Sequence, residues 1–351
     1  MLLTPVLFVS IAWAAAARPK WHELSNYTYA SYVRDFSKTA SAARREIFES
    51  RLGAIKAHNA GSSSSYKQGV NILTDLTESE IKAFKGLVRP GPNPAPPKIA
   101  ATELPSAVDW RNSSVVTAVK DQGSCGSCWA FAATETLESA IALATSTLLT
   151  LAPQVFVDCA ANPKDCGGTG GCSGATAEIA YATAMQYGVF NESQVPYEGD
   201  DETCDLASKQ AVGNVTGYVR LPRNDYVALM TAVATIGPIA VSVDASWTGY
   251  EEGIFPASDG GTTIDHAVQL VGYGFDAASG LGYWLVRNSW GESWGEDGYI
   301  RLERQPDGGP CAVDYDNQDG VGCEDDPTDV TVCGTSAILY DSSYPTGAYL
   351  L

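Results

Sequence analysis

Basic residues are scarce in this chain. Its 351 residues include 22 Lys and Arg against 41 Asp and Glu, a formal net charge of −19. That balance excludes nucleic acid as a partner, because phosphate binding needs a basic surface. Histidine is scarcer still, at positions 22, 58 and 266 only. So few imidazoles argue against zinc, and no metal or other cofactor is expected. No apolar run is long enough to span a bilayer, so no membrane association is expected. No cysteine precedes Cys125, and no internal repeat is evident. What is present is a globular composition, 45% hydrophobic and 18% charged, long enough for a sizeable core.

The chain divides by composition. Residues 1–17 hold a short apolar run, Leu2 to Trp13, that ends in small residues, as a signal peptide does. Residues 18–103 form a leader that reads as helical over 21–86. Within it Ile47, Phe48, Leu52 and Ile55 recur at helical spacing. Positions 90–105 contain six prolines, an extended and cleavable linker whose 90–103 part closes the leader. A body over 104–351 follows. Through Glu103 there are 13 basic and 8 acidic residues; after it there are 9 basic and 33 acidic. A basic leader and an acidic body attract each other. Four sequons, at Asn26, Asn112, Asn191 and Asn214, fit a secretory route that ends in a lysosome or vacuole or outside the cell.

The body has nine cysteines, and an odd number in an oxidising compartment leaves one thiol over. Cys128 lies in Gln122-Gly-Ser-Cys-Gly-Ser-Cys-Trp-Ala-Phe131, at the start of a helix expected over 128–144. That helix has an apolar stripe through Ala130, Ala133, Leu137, Ala140, Ile141 and Ala144, with Glu135 and Glu138 facing away. A helix N-terminus favours a thiolate, and a thiolate beside an imidazole is a strong nucleophile. His266 is the body's one histidine, so it is the candidate base by elimination. Asn288 has the chemistry to orient the imidazole, and Trp290 and Trp294 to shield that bond. Gln122 can donate to an oxyanion beside the Cys128 amide. Later runs over 238–244, 264–275, 282–288 and 298–303 read as strands. Helix first and strands later make an α+β body, with two lobes and a cleft between them.

The Gln-Gly-x-Cys-Gly-Ser-Cys-Trp, Asp265-His-Ala and Asn288-Ser-Trp-Gly-x-x-Trp-Gly blocks, in that order, resemble the papain family of cysteine proteases, including its cathepsin L-like members. Leu104-Pro-Ser-Ala-Val-Asp-Trp-Arg111 resembles the start of their mature chains. The resemblance implies a two-lobed fold, a helical lobe plus a β-barrel-like lobe, behind a helical propeptide. It implies a monomeric endopeptidase that hydrolyses proteins or peptides through a thioester, inhibited by its own propeptide until that is removed. Gln122, Cys128, His266 and Asn288 would be oxyanion donor, nucleophile, base and orienting residue. Implied disulfides are Cys125–Cys172 and Cys159–Cys204. Cys166, Cys311, Cys323 and Cys333 keep three possible pairings. In the leader, Arg44, Ile47, Phe48, Ile55 and Asn59 match the family's propeptide motif, with Ala40 and Arg51 in place of Glu and Asn. Gly69-x-Asn71-x-Leu73-x-Asp75 matches the second motif, with Leu for Phe.

The same resemblance places Ala175, Thr176, Ile264, Ala267 and Asp341 around the S2 pocket, where Asp341 would accept a basic P2 side chain. Residues 305–333 look like an acidic, disulfide-tied insertion. Three rival readings stand beside the protease. Cys125-x-x-Cys128 is also the pattern of a dithiol redox protein, which leaves Gln122, His266 and Asn288 unexplained. An inactive homologue would normally have lost a catalytic residue, and none is lost. A transpeptidase would use the same acyl-enzyme.

Overall fold

A computed structural model describes residues 18–61, 64–83 and 104–351. The expected signal segment, and the linker at 90–103, lie outside the described residues.

The leader starts with a 3-10 turn over Trp21–Asn26. Helix α1 (Tyr29–Asp35) is capped by the Thr28 hydroxyl, which accepts the Ser31 N–H. Helix α2 (Ala42–Ala60) is capped in the same way by Ser41. Strand β1 (Tyr66–Gln68) and helix α3 (Glu78–Ala83) complete it. Leu24, Tyr29, Tyr32, Phe48, Leu52, Ile55 and Val70 form its small core. Ile47, the other member of the expected stripe, is only half-buried.

The expectation of a helical leader misses β1. There the Asn59 amide donates to Gln68 O at 2.7 Å and accepts the Gln68 N–H at 2.9 Å. One side chain thus stands in for a strand partner along one edge. The other edge of β1 pairs antiparallel with the body's strand β6 (Tyr250–Phe255), Tyr66 opposite Gly253. Nearby, Trp21 donates its backbone N–H to Glu251 and its indole N–H to Glu252, and Lys67 lies over the Trp21 ring. The basic leader therefore docks on an acidic sheet edge.

In the body, β2 (Val108–Asp109) is followed by α4 (Cys128–Thr145), α5 (Gln154–Cys159) and α6 (Ala177–Tyr187). The short strands β3 (Gly213–Asn214) and β4 (Gly217–Arg220) and helix α7 (Tyr226–Thr235) lead to β5 (Ile239–Val243). After β6 come β7 (His266–Asp276), β8 (Leu281–Arg287) and β9 (Tyr299–Glu303). A hairpin of β10 (Cys311–Asp314) and β11 (Val330–Cys333) precedes β12 (Asp341–Thr346) and β13 (Tyr349–Leu350). The main sheet runs β1-β6-β9-β8-β7-β5-β12-β4, with β2 alongside β7. One apolar core lies around α4 and α6. A second, rich in tryptophan, lies under the sheet. These are the helical lobe and the β lobe.

Helix α4 fits its expected span, but its polar face does not meet water. Glu135 and Glu138 are buried, like most of the helix. Glu135 pairs with Arg287 Nε at 3.2 Å, and Glu138 with Lys120 Nζ at 2.9 Å. Arg287 also donates to Thr117 O at 2.7 Å. The face opposite the apolar stripe is the one that packs on the β lobe, so its carboxylates are balanced by buried cations rather than by solvent.

Candidate active site

The helix start is held from three directions. Gly126 N–H donates to Cys172 O at 3.0 Å, beside the Cys125–Cys172 disulfide. The Trp129 indole donates to Gly171 O at 3.1 Å. Ser127 Oγ lies 2.6 Å from the Tyr197 hydroxyl, which donates to Gln122 O at 2.8 Å. Cys128 is thereby fixed as the first residue of α4, where the helix dipole favours negative charge.

His266, the first residue of β7, faces it from the β lobe. The next amide, Ala267 N–H, donates to Cys128 Sγ at 3.4 Å. His266 Nε2 is 2.8 Å from Asn288 Oδ1, just past the end of β8. That bond assigns Nδ1 to proton exchange with the sulfur. Trp290 stacks on the imidazole with ring centroids 4.8 Å apart. Trp247, which sequence reasoning missed, meets the imidazole edge-on at 5.9 Å and packs on Trp290. Trp294 touches those two indoles and stands behind the pair. All three indoles are buried, so water is kept from the His–Asn bond. Gln122 Oε1 accepts from Ser289 Oγ at 2.6 Å, which sets the amide's orientation. Its Nε2 donates to Cys125 O at 2.9 Å, and the second hydrogen on that nitrogen is the one an oxyanion would take.

The arrangement has a buried thiol at a helix N-terminus, an oriented imidazole and an amide donor. The segment 104–319 matches the model of the papain family of cysteine proteases, and 29–81 matches the cathepsin propeptide inhibitor domain. The chain belongs to the papain family of cysteine proteases. It is a cysteine peptidase with an inhibitory propeptide. It is 34% identical to procathepsin L of Rattus norvegicus over 329 residues, 86% of this chain and 95% of that one. It is 37% identical to a senescence-specific cysteine protease of Oryza sativa subsp. japonica over 288 residues, 78% and 82% of the two. Among solved structures, digestive procathepsin L 3 of Tenebrio molitor larval midgut superposes with a TM-score of 0.74 at 31% identity, covering 91% of this chain and 97% of that one. The fold is therefore the papain-like one, behind a propeptide.

The cysteines of this papain-family member form four bridges: Cys125–Cys172, Cys159–Cys204, Cys166–Cys323 and Cys311–Cys333. Cys128 is the one cysteine outside them. Because Cys125 is bonded to Cys172, the Cys125/Cys128 pair required by a dithiol redox protein does not exist.

The five residues expected around S2 are all buried. Ala175 follows Gly174, whose φ of +96° suits glycine. Thr176 caps α6, its hydroxyl accepting the Ile179 N–H, so its oxygen belongs to the helix end. Ala267, Ser242 and Asp341 lie side by side across β7, β5 and β12. Ile264 lies just before β7 and is buried. Asp341 is buried too, and its carboxylate accepts from Ser242 Oγ at 2.8 Å and from Arg220 Nη2 at 3.3 Å. Arg220 also pairs with Glu178 at 3.4 Å. Burial, and then the Asp341 carboxylate, push the Glu178 carboxyl up to about 7. Ser242, Arg220 and Glu178 carry no local motif, and only the pairing of β4, β12 and β5 and the packing of α6 on them bring these residues to Asp341.

Proposed function

We propose that Cys128 attacks the scissile carbonyl of a protein or peptide and that His266 serves first as base and then as acid. Asn288 holds the imidazole through Nε2. Gln122 Nε2 and the Cys128 amide stabilise the oxyanion. The thioester is then hydrolysed. The observation that carries this reading is the pair of contacts made by neighbouring β7 residues: Ala267 N–H to Cys128 Sγ, and His266 Nε2 to Asn288 Oδ1. Cys128→Ser should abolish peptide hydrolysis and alkylation by iodoacetamide while leaving the melting temperature unchanged. Asn288→Ala should lower kcat by roughly 10²-fold or more through loss of orientation. Undiminished turnover by Cys128→Ser would sink the assignment.

Processing near residue 103, ahead of a body over 104–351, completes the reading of a precursor. The signal-like segment, the disulfides and the exposed sequon at Asn112 support a secretory destination, either lysosome or vacuole or the exterior, for a monomeric glycoprotein. At S2, Asp341 forms a base beneath the apolar walls of Ile264, Ala267 and Ala175. Its carboxylate is shared with Arg220, so a basic P2 group must compete for it. An apolar P2 is therefore favoured at neutral pH.

A further inference from the structure

The acidic insertion is tied both to the helical lobe and to the β lobe. Cys166 lies between α5 and α6, in the segment that ends as the Gly171–Ala175 wall of the helical lobe. That segment is fastened to its own lobe at both ends, by Cys159–Cys204 and Cys125–Cys172. Cys323 lies in the loop between β10 and β11, which grows from the β lobe after β9 and is clipped at its base by Cys311–Cys333. The Cys166–Cys323 bond therefore joins the two lobes covalently. Glu324 N–H adds a second rung by donating to Lys164 O at 3.2 Å.

On the β-lobe side the same loop rests on the wall beside the catalytic histidine. Asp314 Oδ2 accepts the Ile264 N–H at 3.3 Å, two residues before His266. Gly320 packs so closely that a Cβ there would collide with the Ile264 carbonyl oxygen. Val321 is fully buried in the apolar cluster that contains Ala175, Ile264 and Ala267. The loop is also rigid from within. Asn317 Nδ2 donates to Pro327 O at 2.6 Å, Asn317 N–H to Thr328 O at 3.1 Å, and Cys323 N–H to the Asp326 carboxylate at 3.1 Å.

We propose that residues 315–329 form a strap, sewn across the groove by Cys166–Cys323, that ends its acyl side near the third subsite. The inference rests on the peptidase reading above, which puts the Ala175 and Ile264 walls on the acyl side of the scissile bond. Peptides with two or three residues before that bond fit the groove. Longer ones have to bend away at the strap and lose contacts there. The enzyme is thus selective for bonds near a chain's N-terminus, and residues beyond P3 weaken transition-state binding.

The test uses the activated full-length enzyme and fluorogenic peptides that share P2 and P1 but extend on the acyl side from P2 to P6. For the natural sequence, kcat/KM should fall roughly tenfold between the P3 and P5 lengths, the size of effect that one lost contact produces. A variant with 316–326 replaced by a short Gly-Ser link and Cys166→Ser should hydrolyse all lengths equally and match the natural enzyme on the shortest peptide. Identical profiles, or a natural enzyme that gains rate with length, would overturn the strap. A second readout needs no variant: products from an unfolded protein should be enriched in N-terminal di- and tripeptides early in digestion. Internal cuts from the outset would also overturn the proposal. Failure of the peptidase reading looks different, because then no peptide is hydrolysed and Cys128 resists iodoacetamide.

Discussion

The leader and the body bury charge and apolar surface in opposite ways. The leader has one small core, no cysteine and ion pairs that face water, such as Arg51–Glu78 and Arg44–Glu80. The body has two large cores, four disulfides and ion pairs sealed between lobes, Glu135–Arg287 and Lys120–Glu138. A unit with so little core is marginal alone, whereas a body of this size with cross-links is self-sufficient. The difference shows how an inhibitor can be built in cis: its one strand pairs with a borrowed sheet edge, β6.

The sharpest way to break this comparison is Phe48→Ala. Phe48 is fully buried among Tyr27, Tyr29 and Tyr32, and its truncation should cost about 3–5 kcal/mol. The leader should become sensitive to added protease in the intact precursor, while the body keeps its melting temperature. Joint loss of both would show that they are one cooperative unit.

A second effect belongs to the body alone. Burial raises the carboxyls of Glu135 and Glu178 to about 7. A carboxyl raised by folding binds its proton more tightly folded than unfolded. Its full stability is therefore present below the unfolded value near 4.5 and is lost as pH climbs through 7. The body should melt at higher temperature at pH 5 than at pH 8, and Glu178→Gln should flatten that slope. A melting temperature that rises with pH would contradict the burial argument.

The smallest effect is in the leader. Arg44 donates to Glu80 Oε2 at 2.6 Å and, with the Thr77 groups, holds its carboxyl down to about 2. Stability from a depressed carboxyl is present above its unfolded value and is lost as pH falls toward 2. Glu80→Gln should therefore weaken the leader equally at pH 5 and pH 7. The pair is exposed, and its loss should amount to about 0.5 kcal/mol in leader protection measured by hydrogen exchange.

Much of the candidate site was legible before any coordinates. A body with a single histidine leaves one candidate base, and Gln122, Cys128 and Asn288 each lie in a block whose residue types suit the proposed chemistry. Helix α4 was legible because its apolar stripe recurs at the helical period. Its carboxylates were misjudged because periodicity tells which side a residue occupies, not what covers that side. Strand β1 was missed because three residues hold too little pattern, and its partners, Asn59 and β6, lie elsewhere in the chain.

Local chemistry, then, was written in the sequence: which sulfur is left over, which ring is the candidate to take its proton, and which segment leads and which follows. Tertiary structure alone decided how Cys166, Cys311, Cys323 and Cys333 pair, that Arg220 and Glu178 meet Asp341, and that an acidic insertion is bonded to the helical lobe. The reason is distance along the chain. A motif acts through neighbours a few residues apart, whereas a bridge between positions 166 and 323 depends on the path of everything folded between them.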